Sequence, residues 1–384
     1  MFGNVGGRLE SLRLCSVLAD PNVVDLDSEA LAEVCLNLVA RHAGAPQLLQ
    51  GAAGEQRRAV GGTTAGNDAY PTDEQYKNSK EAQAFVAKAK AIAGNDAKLQ
   101  ARFQKACGPL GPQRPAVLRQ NAGLPPEPQR QIDIVKIFDN LYYFGFNTVG
   151  AWAIPTSQGI ILIDSLNTVK EAEEIIEPAL KKAGLNPADV KMIIVGHGHF
   201  DHFGGAPYFQ QKYGSRVAMS RVDWNMIETP NPNARGPQAN RPLPKRDVEV
   251  VSDGQKITVG DETITLRITP GHTPGSLAYY IPVKDHGKPI TIMMLSGANI
   301  TPDRASLDAF KKALDAAKAA KVQALINGHP GLFGDELGWM EQVRANPNGP
   351  NPFVLTQDQF AKFVDIMKDC AESRLVALDY KGTN

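Results

Sequence analysis

The sequence from Val190 to His202 reads VKMIIVGHGHFDH, an apolar run followed by three histidines and an aspartate. The apolar run predicts a buried strand, and the glycines after it predict a loop. Residues two apart in an extended chain point to the same side, so His197 and His199 are expected to bind one metal ion together. A turn then directs Asp201 and His202 toward a second ion nearby.

Two further histidines lie in rigid turns that follow predicted strands. His272 is part of ITPGHTPGS, residues 268–276, and His329 is part of INGHPG, residues 326–331. The whole chain has seven histidines, and five of them fall in these three motifs. Imidazole and carboxylate at this density are typical of a zinc site, with iron and manganese as competitors. A single histidine in a turn is more often a surface residue, so the metal prediction depends on the cluster at 197–202.

The charge balance favours a small-molecule substrate. The chain has 41 basic and 41 acidic side chains and no net charge. A protein that binds nucleic acid or an acidic membrane is expected to carry a basic excess, so neither partner is predicted. The sequence contains no apolar run of about 18 residues, and therefore no transmembrane helix is predicted either.

Neither the cysteines nor the N-terminus determines the cellular compartment of the protein. The four cysteines are widely scattered and form no zinc-binding pair, although one disulfide bond is compatible with them; they are Cys15, Cys35, Cys107 and Cys370. The first residues lack a clean apolar stretch of signal-peptide length. The protein is therefore expected to be cytoplasmic, or periplasmic or secreted if a native signal is missing.

Three regions are predicted along the chain. Residues 1–75 form a poorly defined N-terminal segment with one amphipathic helix over 26–42. Residues 76–131 form a helical leader, interrupted at 94–96, and a proline-rich linker. Residues 132–384 form the catalytic domain.

The catalytic domain is predicted to alternate between strands and helices. A β-meander from residue 132 to about 165 precedes an amphipathic helix over 168–183. After the histidine-rich loop, the predicted helices are 206–213, 306–320 and 356–377, and the predicted strands are 216–219, 255–269, 275–282, 290–296 and 324–327. Two strand-rich halves interrupted by helices predict two sheets with helices outside both. A loop over 231–244 with four prolines is either a wall or lid of the site or a solvated surface loop.

These motifs resemble the metallo-β-lactamase superfamily, and the resemblance covers residues 132–344. Residues 161–165, ILIDS, look like the first motif of the family, whose aspartate, here Asp164, lies behind the metal ligands. The segment His197–His202 matches the second motif, His272 the third and His329 the last. The resemblance implies an α/β fold, the αββα four-layer sandwich, with the site at one edge between the sheets.

The sequence departs from one family motif. Many relatives with two metals have a bridging aspartate or a cysteine between the third and last motifs, whereas residues 294–300 here read MLSGANI. The third subclass of metallo-β-lactamases also lacks that side chain. Similarity to this subclass implies two zinc ions, one bound by His197, His199 and His272. The other ion is then bound by Asp201, His202 and His329.

The function implied by the resemblance is hydrolysis of β-lactam rings by a metal-bound hydroxide, which Asp201 orients. Asn299 and Thr301 are the predicted substrate-binding residues. Trp152 and Phe200 are either walls of the pocket or ordinary packing residues.

Two alternatives remain open at this point. The first is a hydrolase of the same fold that acts on lactones, esters or thioesters. The second is a redox or non-catalytic metal protein, although the diiron relatives carry a glutamate where this chain has His199.

Overall fold

Two β-sheets that share one hydrophobic core form the centre of the fold. The structure is a computed structural model that describes residues 70–108, 129–230, 241–297 and 300–382. All of them belong to one unit, Gly62–Asn384. The predicted helix over 26–42 lies outside the described residues, and the predicted division at 75 and 131 stays a prediction.

The first sheet has seven strands in sequential order. Its strands are β1 (Gln131–Phe138), β2 (Leu141–Phe146), β3 (Gly150–Thr156), β4 (Gly159–Ile163), β5 (Val190–Ile194), β6 (Arg216–Ser220) and β7 (Val248–Val250). Strands β1 to β4 are antiparallel, as the predicted meander requires. Strands β4 to β7 are parallel, so β4, β5 and β6 end at the same edge of the sheet.

The second sheet has five strands in the order β12-β11-β10-β9-β8. Its strands are β8 (Lys256–Val259), β9 (Glu262–Ile268), β10 (Leu277–Asp285), β11 (Lys288–Leu295) and β12 (Ala324–Ile326). The predicted strand over 255–269 is therefore two strands, because Gly260, with φ of +58°, forms a tight turn in its middle. A left-handed backbone of this kind favours glycine.

Helices cover the outer faces of both sheets. They are α1 (Asp73–Asn78), α2 (Lys80–Ala93), α3 (Ala97–Ala106), α4 (Val169–Glu171), α5 (Glu177–Lys182), α6 (Phe200–Phe203), α7 (Ala206–Tyr213), α8 (Arg221–Glu228), α9 (Arg304–Ala319), α10 (Glu336–Ala345) and α11 (Gln357–Ala377). A π-helical segment, Ala172–Ile176, joins α4 to α5, so the predicted helix over 168–183 is observed as one continuous element. Helices α8 and α10 and strand β7 were not predicted from the sequence.

Three apolar clusters hold these layers together. The first lies between the sheets and includes Trp152, Tyr279 and Ile326, none of which is more than 1% exposed. The second joins the outer face of the second sheet to α2, α3, α9 and α11. The third joins the outer face of the first sheet to α5 and α7. The predicted αββα sandwich is confirmed.

The leader helices pack on the last helix of the chain. The predicted break between them occurs at Gly94, and the side chain of Asp96 caps α3. Lys88 on α2 pairs with Asp369 on α11 at 2.9 Å. A disulfide bond joins Cys107, at the end of α3, to Cys370 on α11. Among the described helices, none is long and apolar enough to cross a lipid bilayer.

Candidate metal centre

Three loops at the ends of strands bring the histidine motifs together. His197 and His199 lie in the loop after β5, and Asp201 and His202 lie in the short helix α6 that follows it. The loops after β9 and β12 carry His272 and His329. Strand β5 belongs to the first sheet and the other two strands to the second. The site therefore lies at one edge of the sandwich, between the sheets, where loops on a rigid scaffold commonly carry function.

The six predicted ligands fall into two sets of three. His197, His199 and His272 form one set, and the other set is Asp201, His202 and His329. Within each set, one nitrogen or oxygen atom from each residue lies within 4.8 Å of the others. These two sets have the composition that the family resemblance implies.

The second set has the donor chemistry that a cation requires. Nδ1 of His202 lies 2.7 Å from a carboxylate oxygen of Asp164, and Nδ1 of His329 lies 2.7 Å from the carbonyl oxygen of Thr148. Both partners are acceptors, so each Nδ1 carries the proton and each Nε2 presents a lone pair. The two Nε2 atoms are 3.1 Å apart, and a bound cation would stabilise two lone pairs that face each other. This set therefore fits a metal ion.

The carboxylate of Asp201 completes the second set. Its oxygens lie 3.6 Å from Nε2 of His329 and 3.8 Å from Nε2 of His202. The residue is 6% exposed. It is thus held where it can contact an ion bound by the two imidazoles.

The histidines of the first set face one another closely. Nε2 of His197 lies 3.0 Å from Nδ1 of His199, and the ring of His197 is edge-on to that of His272 at 4.5 Å. Burial, followed by repulsion from the surrounding histidines, holds the pKa of His197 well below its usual range. The imidazole is therefore neutral at physiological pH, which is the form that binds metal.

Asp164 braces the loop that carries most of the ligands. Besides its contact with His202, its carboxylate accepts a hydrogen bond from the backbone N–H of Gly196 at 2.9 Å. Asp164 is fully buried and adopts a φ of +62°, a strained conformation that surrounding contacts must maintain. The next residue, Ser165, donates from its N–H and its hydroxyl to the carbonyl of His202. Asp164 thus contacts His202 at Nδ1, the ring nitrogen that does not face His329, and its place behind metal ligands stays a prediction.

Two polar residues around the first set were not singled out from the sequence. The hydroxyl of Ser296 lies 2.9 Å from Nδ1 of His197. The carboxylate of Asp223, on α8, accepts hydrogen bonds from the N–H of Gly198 and the hydroxyl of Thr273, both at 2.7 Å, and from the N–H of Gly275 at 2.9 Å. Each stands outside the histidine motifs, and no local pattern marks either one.

Comparison with known proteins agrees with this site. Residues 146–286 match the metallo-beta-lactamase superfamily. In this segment the chain is similar to that superfamily, and its two-sheet fold agrees with the match. BJP-1, a subclass B3 metallo-beta-lactamase of Bradyrhizobium japonicum, is 26% identical, with a TM-score of 0.50 over 62% of this chain and 92% of that enzyme.

Two curated relatives match shorter segments. The probable metallo-hydrolase YqgX of Bacillus subtilis is 26% identical over 107 residues, which are 28% of this chain and 49% of that protein. A hydroxyacylglutathione hydrolase of Mesorhizobium japonicum is 30% identical over 111 residues, which are 29% of this chain and 35% of that protein. The chain thus spans half or less of the length of these two relatives.

The segment where many superfamily members carry a bridging carboxylate packs tightly against His272, one of the predicted ligands. Gly297, with φ of +85°, approaches the imidazole of His272 so closely that a Cβ atom at this position would lie 2.4 Å from Cβ of His272. Real Cβ atoms do not come that close to another atom, so a side chain at residue 297 would require the ligand to move.

The residues predicted to bind substrate or to line the pocket differ in where the structure places them. Asn299 lies outside the described residues. The hydroxyl of Thr301 donates to the carbonyl of Gly271 at 2.8 Å, so it braces the turn of His272. Trp152 is a core residue whose Nε1 donates to the carbonyl of Asn327 at 3.2 Å. Phe200 is 37% exposed.

A cation that the sequence did not single out lies beside Phe200. The guanidinium of Arg241 is 3.8 Å from the centre of that ring and donates to the carbonyl of Asn167 at 3.0 Å. Burial lowers the pKa of Arg241, whereas attraction to Asp201 and Glu171 raises it. Arg241 belongs to the predicted wall loop 231–244, of which residues 231–240 lie outside the described part of the chain.

Proposed function

We propose that this protein is a zinc-dependent hydrolase that opens β-lactam rings. The observation that carries the proposal is the division of six side chains into a three-histidine set and an Asp-His-His set, with a glycine at residue 297 in the segment where many relatives have a bridging side chain. The third subclass of metallo-β-lactamases is expected to have this ligand arrangement. The likeness to a subclass B3 enzyme along 92% of that enzyme's length supports the assignment.

Two zinc ions suit the donor sets. Imidazole nitrogen and carboxylate oxygen are common zinc ligands, and catalytic zinc sites combine three protein ligands with one open position. Each set offers three ligands. A purely structural zinc would be enclosed by four.

The reaction would use the side chains as follows. When bound, zinc supplies Lewis-acid polarisation of a carbonyl group and acidifies water. The carboxylate of Asp201 has two oxygens, so one can face the ion while the other accepts a hydrogen bond from the attacking water and orients it. Hydrogen bonds fix the two imidazole rings, from Asp164 to His202 and from Thr148 to His329. The ligands therefore need not reorganise during the reaction. No side-chain nucleophile is required.

The substrate is expected to be anionic. Arg241 presents a guanidinium beside Phe200 and within the electrostatic reach of Asp201. Arginine pairs with carboxylates through two parallel hydrogen bonds, and a β-lactam antibiotic has a carboxylate next to its ring system. We assign substrate orientation to Arg241, with Asn299 as a second donor. Thr301 is the weaker donor, because its proton is used in the bond to Gly271.

A second candidate is the hydrolysis of a thioester, ester or lactone. The 30% identity to a hydroxyacylglutathione hydrolase over 111 residues favours it. The absence of an aspartate at residues 294–297 argues against it, since the hydrolases of that group bridge two metals with one.

The test is hydrolysis of nitrocefin and a carbapenem, beside a glutathione thioester and a homoserine lactone, with and without a chelator. Chelator-sensitive turnover of the β-lactams, at least 100-fold more efficient than turnover of the other substrates, is expected. Zinc-loaded protein that turns over only the thioester or lactone would refute the β-lactamase assignment. Elemental analysis that found no transition metal would refute the metal assignment itself.

A further inference from the structure

The three-histidine set is assembled from two loops that belong to different sheets. His197 and His199 lie on the loop after β5, and His272 lies on the loop after β9. The three imidazoles reach one ion only if these two loops keep a fixed separation. The described structure contains one carboxylate that bonds to both of them.

That carboxylate is Asp223, which reaches the two loops from α8. One oxygen accepts from the N–H of Gly198, which lies between His197 and His199, and from the hydroxyl of Thr273. The other oxygen accepts from the N–H of Gly275. Asp223 has no exposed surface, so water cannot replace these bonds without local unfolding.

The loops are shaped to receive the carboxylate. A Cβ atom at Gly275 would lie 2.5 Å from an oxygen of Asp223, and a Cβ atom at Gly198 would lie 3.2 Å from Cβ of Asp223. The hydroxyl of Ser220 accepts from the N–H of Asp223 at 3.1 Å and fixes the start of α8. The backbone of both loops therefore approaches the acid closely enough for direct hydrogen bonds.

We propose that Asp223 is a positioning residue for the three-histidine metal set. It sets the distance between the loop of His197 and His199 and the loop of His272, and so it controls the affinity of that set for zinc. The proposal rests on the proposed zinc binding but is independent of the substrate.

The proposal predicts an effect on one set and not the other. The Asp201–His202–His329 set is oriented by Asp164, whose carboxylate bonds to His202 and to the N–H of Gly196. The contacts that hold its His329 come from Thr148 and Asn327. Loss of Asp223 should therefore weaken the three-histidine set selectively.

The test measures zinc affinity in two backgrounds. His329→Ala leaves the three-histidine set complete, and His199→Ala leaves the other set complete. Asp223→Asn is introduced into each, because an amide presents an N–H group where the loops require an acceptor. Zinc binding is measured by competition with a chromophoric chelator, and circular dichroism verifies folding.

The expected result is a 10- to 100-fold loss of zinc affinity in the His329→Ala background, the range typical of residues that orient metal ligands. A change of less than about threefold is expected in the His199→Ala background. Asp369→Asn is the matched control, since it alters another buried carboxylate, which pairs with Lys88 on the leader helices. It should leave both affinities unchanged.

Two results would overturn the proposal. One is unchanged zinc affinity in the folded Asp223→Asn, His329→Ala protein. The other is an equal loss in both backgrounds, which would indicate general destabilisation. If Asp223→Asn does not fold, Gly275→Ala replaces it, because its methyl group would displace the carboxylate and should produce the same selective loss. Absence of β-lactam turnover would leave this test unaffected.

Discussion

Removal of the disulfide bond between Cys107 and Cys370 is expected to lower the stability of the protein without altering its chemistry. The bond joins residues 263 positions apart, at the end of α3 and within α11. Cys370 is fully buried in the apolar cluster that covers the second sheet. The predicted metal ligands follow β5, β9 and β12, so the bond contributes to the layer that supports the sheet and not to the loops of those residues.

The expected loss of stability follows from the length of the loop that the disulfide bond closes. The chain-entropy relation for a loop of 263 residues gives about 5 to 6 kcal/mol at 25 °C, and measured values for native disulfides are about 2 to 5 kcal/mol. Cys107→Ala with Cys370→Ala should therefore lower the free energy of unfolding by about 2 to 5 kcal/mol. Hydrolytic activity at 25 °C should stay within about twofold, because the site remains assembled while the protein is folded.

The assay is equilibrium unfolding in urea, followed by fluorescence and circular dichroism, with and without a reducing agent. Reducing agent should shift the midpoint of the wild-type protein to that of the double variant and leave the double variant unchanged. A double variant whose unfolding free energy lies within about 0.5 kcal/mol of wild type would refute the reasoning.

Three further predictions concern the site and its support. Asp164→Asn should lower zinc affinity 10- to 100-fold in the His199→Ala background, measured by the same chelator competition, and equal affinity would contradict the role of Asp164 at His202. Arg241→Ala should raise KM for a β-lactam about tenfold with kcat within threefold, and the ester of the same β-lactam should show no such change; a loss confined to kcat would exclude carboxylate binding. Burial raises the pKa of Glu336 to about 7. The folded protein therefore binds a proton there more tightly than the unfolded chain does, and this contribution to stability is present below about pH 4.5 and is lost as the pH rises to about 7. Glu336→Gln should lack this pH-dependent contribution. The unfolding free energy of the variant minus that of the wild type should therefore increase between pH 5 and 8. A difference that stays constant over this range would contradict the raised pKa of Glu336.

The sequence predicted the parts of this protein that depend on local pattern. The apolar run of residues 190–195 and the glycine-rich loop after it are sufficient to predict β5 and the group at His197–His202. The turns of His272 and His329 follow strands with clear apolar character. The two-sheet sandwich followed from the alternation of such strands with amphipathic helices.

The features that were not predicted depend on tertiary contacts. Helix α8 is short, and its start depends on the cap from the side chain of Ser220. Asp223 bonds mainly to backbone N–H groups, which any residue offers, so no sequence pattern marks it. The pairing of Cys107 with Cys370 depends on how α3 packs against α11, and the position of Arg241 depends on the path of a proline-rich loop.

Two buried carboxylates can order the two predicted ligand sets although residues 294–300 contain no aspartate or cysteine. Asp164 bonds to the backbone before His197 and to the ring of His202, so it fixes both ends of the histidine-rich segment. Asp223 bonds to the middle of that loop at Gly198 and extends to the turn of His272. The close approach of Gly297 to His272 leaves no room for a side chain at that position. Each set therefore obtains its order from a buried acid behind the ligands, and the two sets are expected to lose metal independently when one of these acids is removed.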